Sequence, residues 1–184
     1  TAYSKSIGGV EISLDRFDIK ERDNNPVSMP DKEAAIRAQE LLEQKIEEKD
    51  SVGGIVECVV KGMKAGVGEP VFDKLDARLS QAIMSIGAVK GFEIGAGFAV
   101  ANMVGSENND SFTTDSNDNI IKKTNNAGGI LGGISDGSDI VLRAAFKPTP
   151  SIGKPQKTVN LETKEEVMSA LGAGAVAVST GKNN

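Results

Sequence analysis

Two apolar periodicities alternate along the first half of the chain, and this alternation confines the fold to helices layered on a sheet. Ser6–Leu14 reads SIGGVEISL, with Val10, Ile12 and Leu14 alternating with polar neighbours, the period of a half-buried strand. Pro26, Pro30 and the polar stretch Arg22–Asn25 interrupt it, and Asp31 stands as an N-cap before a helix expected to run to about Glu48. Ala35, Ala38, Leu42 and Ile46 recur there at steps of three and four, while Lys32, Glu40, Glu43 and Glu47 cover the solvated face. Asp50–Gly54 ends the helix, and Ile55–Lys61 (IVECVVK) has the β-branched content of a buried strand. Leu75, Leu79, Ile83 and Ile86 predict a second helix over Val71–Ile86, followed by a strand at Ala88–Ile94 (AVKGFEI). Strand, helix, strand, helix, strand argues for a mixed α/β or α+β sandwich.

The second half is less regular. Residues 102–124 are rich in Asn, Asp, Ser and Thr and are expected to form a long flexible loop. Val141–Phe146 (VLRAAF) predicts a strand, Lys157–Leu161 a further one, and the Glu165–Glu166 pair the start of a short final helix. A length of 184 residues is that of one domain or a large piece of one, so 1–184 is read as a single domain.

Composition then excludes whole classes of chemistry. Histidine is absent, so no imidazole base, acid or metal ligand comes from this chain, and no metal site is expected. The single cysteine, Cys58, lies inside an apolar run, which reads as a structural thiol rather than a reactive one. A net charge of -5 and an aromatic content of 4% argue against a nucleic-acid surface, which needs basic patches and stacking platforms. No apolar run approaches the roughly 20 residues of a membrane-spanning helix. The first residues show no secretory signal, which favours a cytoplasmic protein or a trimmed piece of one.

Glycines gather at Gly53–Gly54, Gly66 and Gly68, Gly95 and Gly97, and in Asn125–Gly137 (NNAGGILGGISDG). Such clusters let a backbone approach a ligand and aim N–H groups at anionic oxygens. Neither the strand-GxGxxG-helix unit nor the Walker lysine motif is present, which disfavours a Rossmann or P-loop site. Lys147-Pro148-Thr149-Pro150-Ser151 places a cation and two hydroxyls two residues apart on a segment stiffened by two prolines. In extended geometry these share one face and can grip a phosphate; the other reading is an edge loop with a solvated lysine.

Six segments, in order, carry a resemblance: DSVGG at Asp50–Gly54, GVGEPVFDKLDARL at Gly66–Leu79, MSIGAVKGFEIGAGF at Met84–Phe98, GSENND at Gly105–Asp110, NNAGGILGGISDG at Asn125–Gly137, and KPTPSI at Lys147–Ile152. Together they resemble the central to late part of chorismate synthase. The resemblance implies helices sandwiched between antiparallel sheets, a homotetramer, and a cleft shared by reduced FMN and 5-enolpyruvylshikimate-3-phosphate. It implies a lyase of the shikimate pathway, which serves aromatic amino acid biosynthesis, with NADPH associated with the flavin supply. It also implies partners limited to that substrate and further copies of the chain, with no nucleic acid and no membrane.

Carried over motif by motif, Lys147 and Ser151 resemble flavin-phosphate ligands, with Pro148, Thr149 and Pro150 lining the same stretch. Gly132 in the LGG step and the Gly87–Ala88 backbone resemble further flavin contacts. For Asn125 and Asn126 two readings stand: a hydrogen-bonded loop beside the flavin, or a turn fixing its own backbone. No residue is assigned as catalytic, and Asp50, Glu69, Asp73, Asp76, Glu93 and Asp110 read as caps, helix charges or subunit contacts.

Departures from the family pattern limit the expected activity. The early Ser-His block, the arginine-rich block and the late Arg-His-Asp-Pro motif have no counterpart here, and Ser169–Asn184 does not align. Lys64 and Ala65 stand where the family has a proline before its Gly-Leu-Gly-Glu-Pro block. The expectation is a fragment that keeps part of the flavin cradle and does not turn over alone. The alternative is a non-catalytic flavin-binding or oligomerisation module derived from the same fold.

Overall fold

A computed structural model describes residues 1–169 of the chain. Strand β1 (Ala2–Ile7) turns at Gly8–Gly9 into the short β2 (Val10–Glu11). Both glycines have positive φ, 56° and 86°, the pair of left-handed residues that closes a two-residue hairpin with the right twist. This corrects the single strand expected over Ser6–Leu14: the glycine pair folds it back, and Leu14 lies in a 3-10 turn, 81% exposed.

Helix α1 (Lys32–Glu47) begins where the sequence places it. Its cap, Asp31, is fully buried and accepts from the backbone N–H groups of Glu33 (3.0 Å) and Ala34 (3.1 Å). The Asp31 carboxylate also accepts from Ser13 N–H at 2.9 Å and from both Nε and Nη2 of Arg16. One aspartate thus starts the helix and ties the Leu14–Arg16 turn to it. Ala34, Ala35 and Ala38 press a flat face on Met29, with Ile7, Val10, Ile12 and Val27 around them. Small side chains allow this close approach, so the core at this end is dense although it holds few large residues.

After β3 (Gly54–Val60) comes α2 (Leu75–Met84), four residues later than the helix expected from Val71. Val71 sits at φ 65°, a conformation a β-branched residue adopts only under constraint, and Phe72 is 86% exposed. No side chain caps α2; instead the Leu75 N–H donates to the Gly133 carbonyl at 2.7 Å. A long-range contact therefore sets this start, which a local periodicity does not report.

Strand β4 (Val89–Ile94) leads through a 3-10 turn at Gly97–Asn102 to the one-turn α3 (Gly105–Asn108). The segment 102–124, expected to be a long flexible loop, carries α3 and a hairpin of β5 (Phe112–Thr114) and β6 (Ile120–Lys122). Asp115 closes that hairpin by accepting from the N–H groups of Asn117 and Asn119 and from the Asn119 side chain. Polar turn residues here build local structure instead of dissolving it. A smaller hairpin follows, β7 (Ile130–Leu131) and β8 (Ile134–Ser135), and then β9 (Ile140–Phe146). Last come β10 (Gln156–Val159) and β11 (Glu166–Ser169), which pair antiparallel. The final helix expected from Glu165–Glu166 is thus a strand: Val167 and Met168 find cross-strand partners in Thr158 and Lys157, which outweigh the local helix-start signal.

The main sheet has the order β2-β1-β3-β9-β4 and is antiparallel throughout. Register aligns Tyr3, Glu57, Arg143 and Glu93 across four strands, so all four share one face. The alternate residues Val56, Leu142, Ala144 and Phe92 point to the other face, where α2 packs along β4. The architecture is α+β, an antiparallel sheet with helices on its apolar side, as expected from the sequence.

Candidate functional site

Three segments meet where β9 leaves the sheet. The Lys147 N–H donates to the Ala88 carbonyl at 2.9 Å, which joins the Lys147–Ser151 loop to the turn after α2. The Ser51 hydroxyl donates to the Thr149 carbonyl at 2.7 Å, bringing Asp50–Gly54 to the same place. A side chain at Gly53 would collide with the Phe146 carbonyl and the Pro148 ring, so glycine is what permits the approach. Asp50 accepts from Ser51 N–H at 2.9 Å and from Lys154 at 3.3 Å, and these donors, the backbone first, hold its carboxyl below the usual range.

Lys147, Pro148, Thr149, Pro150 and Ser151 are all exposed, as are Gly87 and Ala88. Ala88 has φ 70°, left-handed backbone for a residue with a Cβ, and its strain is held by the bond from Lys147. Next to it the β4–β9 register shifts between Val89 and Gly91, a bulge that turns the strand end outward. Among the described residues the Lys147 ammonium makes no ion pair and the Thr149 and Ser151 hydroxyls make no hydrogen bond. The result is a cation and two hydroxyls held on a stiff backbone and left open, the donor set that suits a phosphate.

Gly132 does not join this group. It occupies the β7–β8 turn at φ 60° with open space around it, while its neighbour Gly133 closes against Lys74. That turn caps the N-terminus of α2, whereas Gly87–Ala88 follow its C-terminus; ten residues of helix, about 15 Å, lie between them. Of the residues singled out from sequence, seven therefore gather at one end of the sheet and Gly132 stands at the other end of α2.

Asn125 and Asn126 are occupied by the scaffold. Asn125 accepts from Gly129 N–H and donates to the Asp139 carbonyl, and Asn126 donates to the carbonyls of Glu107 and Asn108. The Asn125 bond to Gly129 fixes the local turn, while the bonds to Asp139, Glu107 and Asn108 tie the segment to distant backbone.

Of the polar row on the sheet only Glu93 was singled out from sequence, and there as a cap, helix charge or subunit contact. Tyr3 donates to Glu57 through its hydroxyl, Lys5 donates to Glu57 at 2.7 Å, and Arg143 bridges Glu57 (3.2 Å) and Glu93 (3.0 Å). Arg143 also donates to the Gly95 carbonyl. Burial would raise the Glu57 carboxyl, but hydrogen bonds from Lys5 and Tyr3 with the charges of Lys5 and Arg143 bring it below its usual range. Burial, then Glu57, push the Tyr3 phenol up. A signal existed: charged residues stand inside three otherwise apolar strands, in IVECVV, VLRAAF and VKGFEI. Such a charge is retained at low cost only when it has partners.

Fold and loop geometry together define an α+β protein with an exposed, cation-bearing loop at one sheet end. The chorismate synthase family model matches residues 1–178. The chain is 59% identical over 158 residues to a chorismate synthase of Lachnoclostridium phytofermentans, covering 86% of this chain and 43% of the relative. It is 56% identical over 161 residues to one of Methanosarcina acetivorans, covering 86% and 44%. A crystal structure of chorismate synthase superposes with a TM-score of 0.72 at 29% identity, covering 80% of this chain and 48% of that one. The chain belongs to the chorismate synthase family, a family of lyases. It spans somewhat under half the length of the relatives it matches.

Proposed function

We propose that this chain supplies part of the reduced-FMN cradle of a chorismate synthase, which eliminates phosphate from 5-enolpyruvylshikimate-3-phosphate in the shikimate pathway. The observation that carries this reading is the open group formed by Lys147, Thr149 and Ser151 against Ala88. Lys147 would hold the flavin phosphate as a charge-assisted donor, with Ser151 donating from the same face. Pro148 and Pro150 restrict the loop before binding, which lowers the entropy lost on gripping an anion. Gly87–Ala88 would present backbone to the cofactor, and Gly132, with free space where a side chain would stand, would approach it from the far end of α2. Reduced FMN, when bound, supplies an electron transiently to a 1,4-elimination with no net redox change. A homotetramer, flavin reduction drawing on NADPH and a cytoplasmic setting accompany this reading. So does a flexible 102–124 segment within one domain.

An imidazole for proton transfer is the part this chain does not supply, because it holds no histidine. A missing member of a proton-transfer set costs roughly two to four orders of magnitude in rate. The chain is therefore expected to bind FMN weakly and not to turn over by itself. Anaerobic titration with reduced FMN and substrate tests both halves: saturable flavin binding without chorismate is expected. Chorismate formed by these 184 residues alone would show that the chemistry needs no imidazole. Lys147→Ala is expected to weaken FMN about tenfold or more, the size of one lost charged hydrogen bond. Equal affinity in the two proteins would remove the phosphate assignment.

A further inference from the structure

A buried charged cluster outside the loop just described joins the β5–β6 hairpin to the glycine-rich segment after it. Lys122, the last residue of β6, has a side chain only 4% exposed, and its ammonium pairs with Asp136 and lies 3.6 Å from Asp110. Asp110 is equally buried and does more than face the lysine. It accepts from the Asn126 N–H at 2.7 Å, the Ala127 N–H at 2.9 Å and the Thr124 hydroxyl at 2.7 Å. Asp136 accepts from the Ser138 N–H at 2.8 Å, and its own N–H donates to the Gly129 carbonyl at 3.0 Å. One cation thus sits between two carboxylates, and each carboxylate is hydrogen-bonded to backbone at opposite ends of the 125–138 segment.

That segment contains Gly132 and the β7–β8 turn, whose Gly133 carbonyl receives the first N–H of α2. Few apolar side chains anchor it: Ile130 is buried and Ile134 and Ala127 are half-buried, but Leu131 is exposed and the rest is Asn, Gly, Ser and Asp. A glycine-rich stretch has much backbone freedom to lose, so its conformation must be imposed from outside. We infer that Lys122, acting through Asp110 and Asp136, is the positioning residue that holds the 125–138 loop and with it Gly132 in place for the bound flavin. Removing the cation leaves two buried carboxylates facing each other without compensation, which drives them apart and releases both ends of the loop. The flavin part of this inference rests on the function proposed above; the latch itself does not.

Two readouts separate those parts. Amide hydrogen exchange is measured on wild type, Lys122→Met, Lys122→Arg and Asp136→Asn, with Lys147→Ala as the control for the phosphate contact, and FMN affinity is measured on the same five proteins. In Lys122→Met the Asn126, Ala127 and Ser138 amides are expected to exchange at least tenfold faster, while those of β3 and β9 keep their protection. Lys122→Arg is expected to restore protection, since the charge returns. FMN is expected to bind about tenfold more weakly to Lys122→Met and near normally to Lys122→Arg, a pattern that a general loss of stability does not give. Unchanged exchange at Asn126 and Ala127 overturns the latch. Faster exchange with unaltered FMN affinity, while Lys147→Ala does weaken binding, overturns the positioning role and leaves the flavin reading standing. If no variant alters FMN affinity, Lys147→Ala included, the flavin reading fails and exchange alone decides the latch. Should Lys122→Met lose protection in β9 as well, Asp136→Asn decides: faster exchange at Ser138 alone supports the latch, and none opposes it.

Discussion

At the scale of single residues, the decisive positions are those where one group serves two structures. Asp31 caps α1, receives Arg16 and fixes the Ser13 backbone, all while fully buried. Burial would raise its carboxyl, but the hydrogen bonds from Arg16, Ser13 and Ala34 lower it to about 2. A carboxyl depressed in the folded state stabilises above its unfolded pKa of about 3.9, and that contribution is lost as pH falls from there toward 2. Asp31→Asn, which keeps the cap but loses the charge facing Arg16, is therefore expected to lower stability by about 1–2 kcal/mol at neutral pH, the scale of a charged hydrogen bond, and to flatten the acid limb below pH 4. Urea unfolding between pH 2 and 7 checks both. Ala88 presents the opposite case, a strained residue whose replacement relieves cost. Ala88→Gly is expected to stabilise by about 0.5–1 kcal/mol, the left-handed penalty of alanine less the added freedom of glycine when unfolded. A melting temperature below that of wild type would show that Ala88 is not strained. Asp31 was legible in the sequence because capping is local, whereas the left-handed state of Ala88 was not, because the Lys147 bond that holds it joins residues 59 positions apart.

At the scale of elements, the polar row shows how one sheet face is organised. Arg143 lies between Glu57 and Glu93, and its removal takes from Glu93 its only cation partner among the described residues and leaves Glu57 with Lys5 as its sole cation there. Arg143→Met is expected to cost about 2–4 kcal/mol, and Glu93→Gln clearly less, since Glu93 is the more exposed partner. Chemical denaturation of the two variants orders them. Cys58, half-buried on the other face of β3, makes a contrasting prediction. Cys58→Ser is expected to lose about 1 kcal/mol by placing a hydroxyl in apolar surroundings, with FMN affinity unchanged. Equal chevron midpoints for wild type and variant would mean that the thiol contributes no packing. The elements themselves were readable where periodicity ran long, as in α1, β3, β4 and β9. They were misread where a turn or a partner intervened: the Gly8–Gly9 hairpin, the late start of α2, the β5–β6 hairpin and the β11 strand.

At the scale of the whole molecule, apolar surface is unusually open. Phe72, Phe98, Phe112, Ile46 and Ile120 are all largely exposed, and the chain spans under half of its relatives. Burial of such area is the main drive to association. The chain is expected to associate at micromolar concentration, so that sedimentation gives a mass above 19.2 kDa and the melting temperature rises with concentration. A monomer at every concentration, with a fixed melting temperature, would count against that. The sequence by itself determined the long helix and its cap, the central strands, the α+β class and the motifs that mark the family. Each of these depends on neighbours within a few residues or on residue types in a fixed order. Only the tertiary structure decided that Lys147 meets Ala88, that Gly132 stands apart at the far end of α2, and that Lys122 is buried between two aspartates. Those facts depend on strand register and loop closure across tens of residues, which local periodicity does not encode.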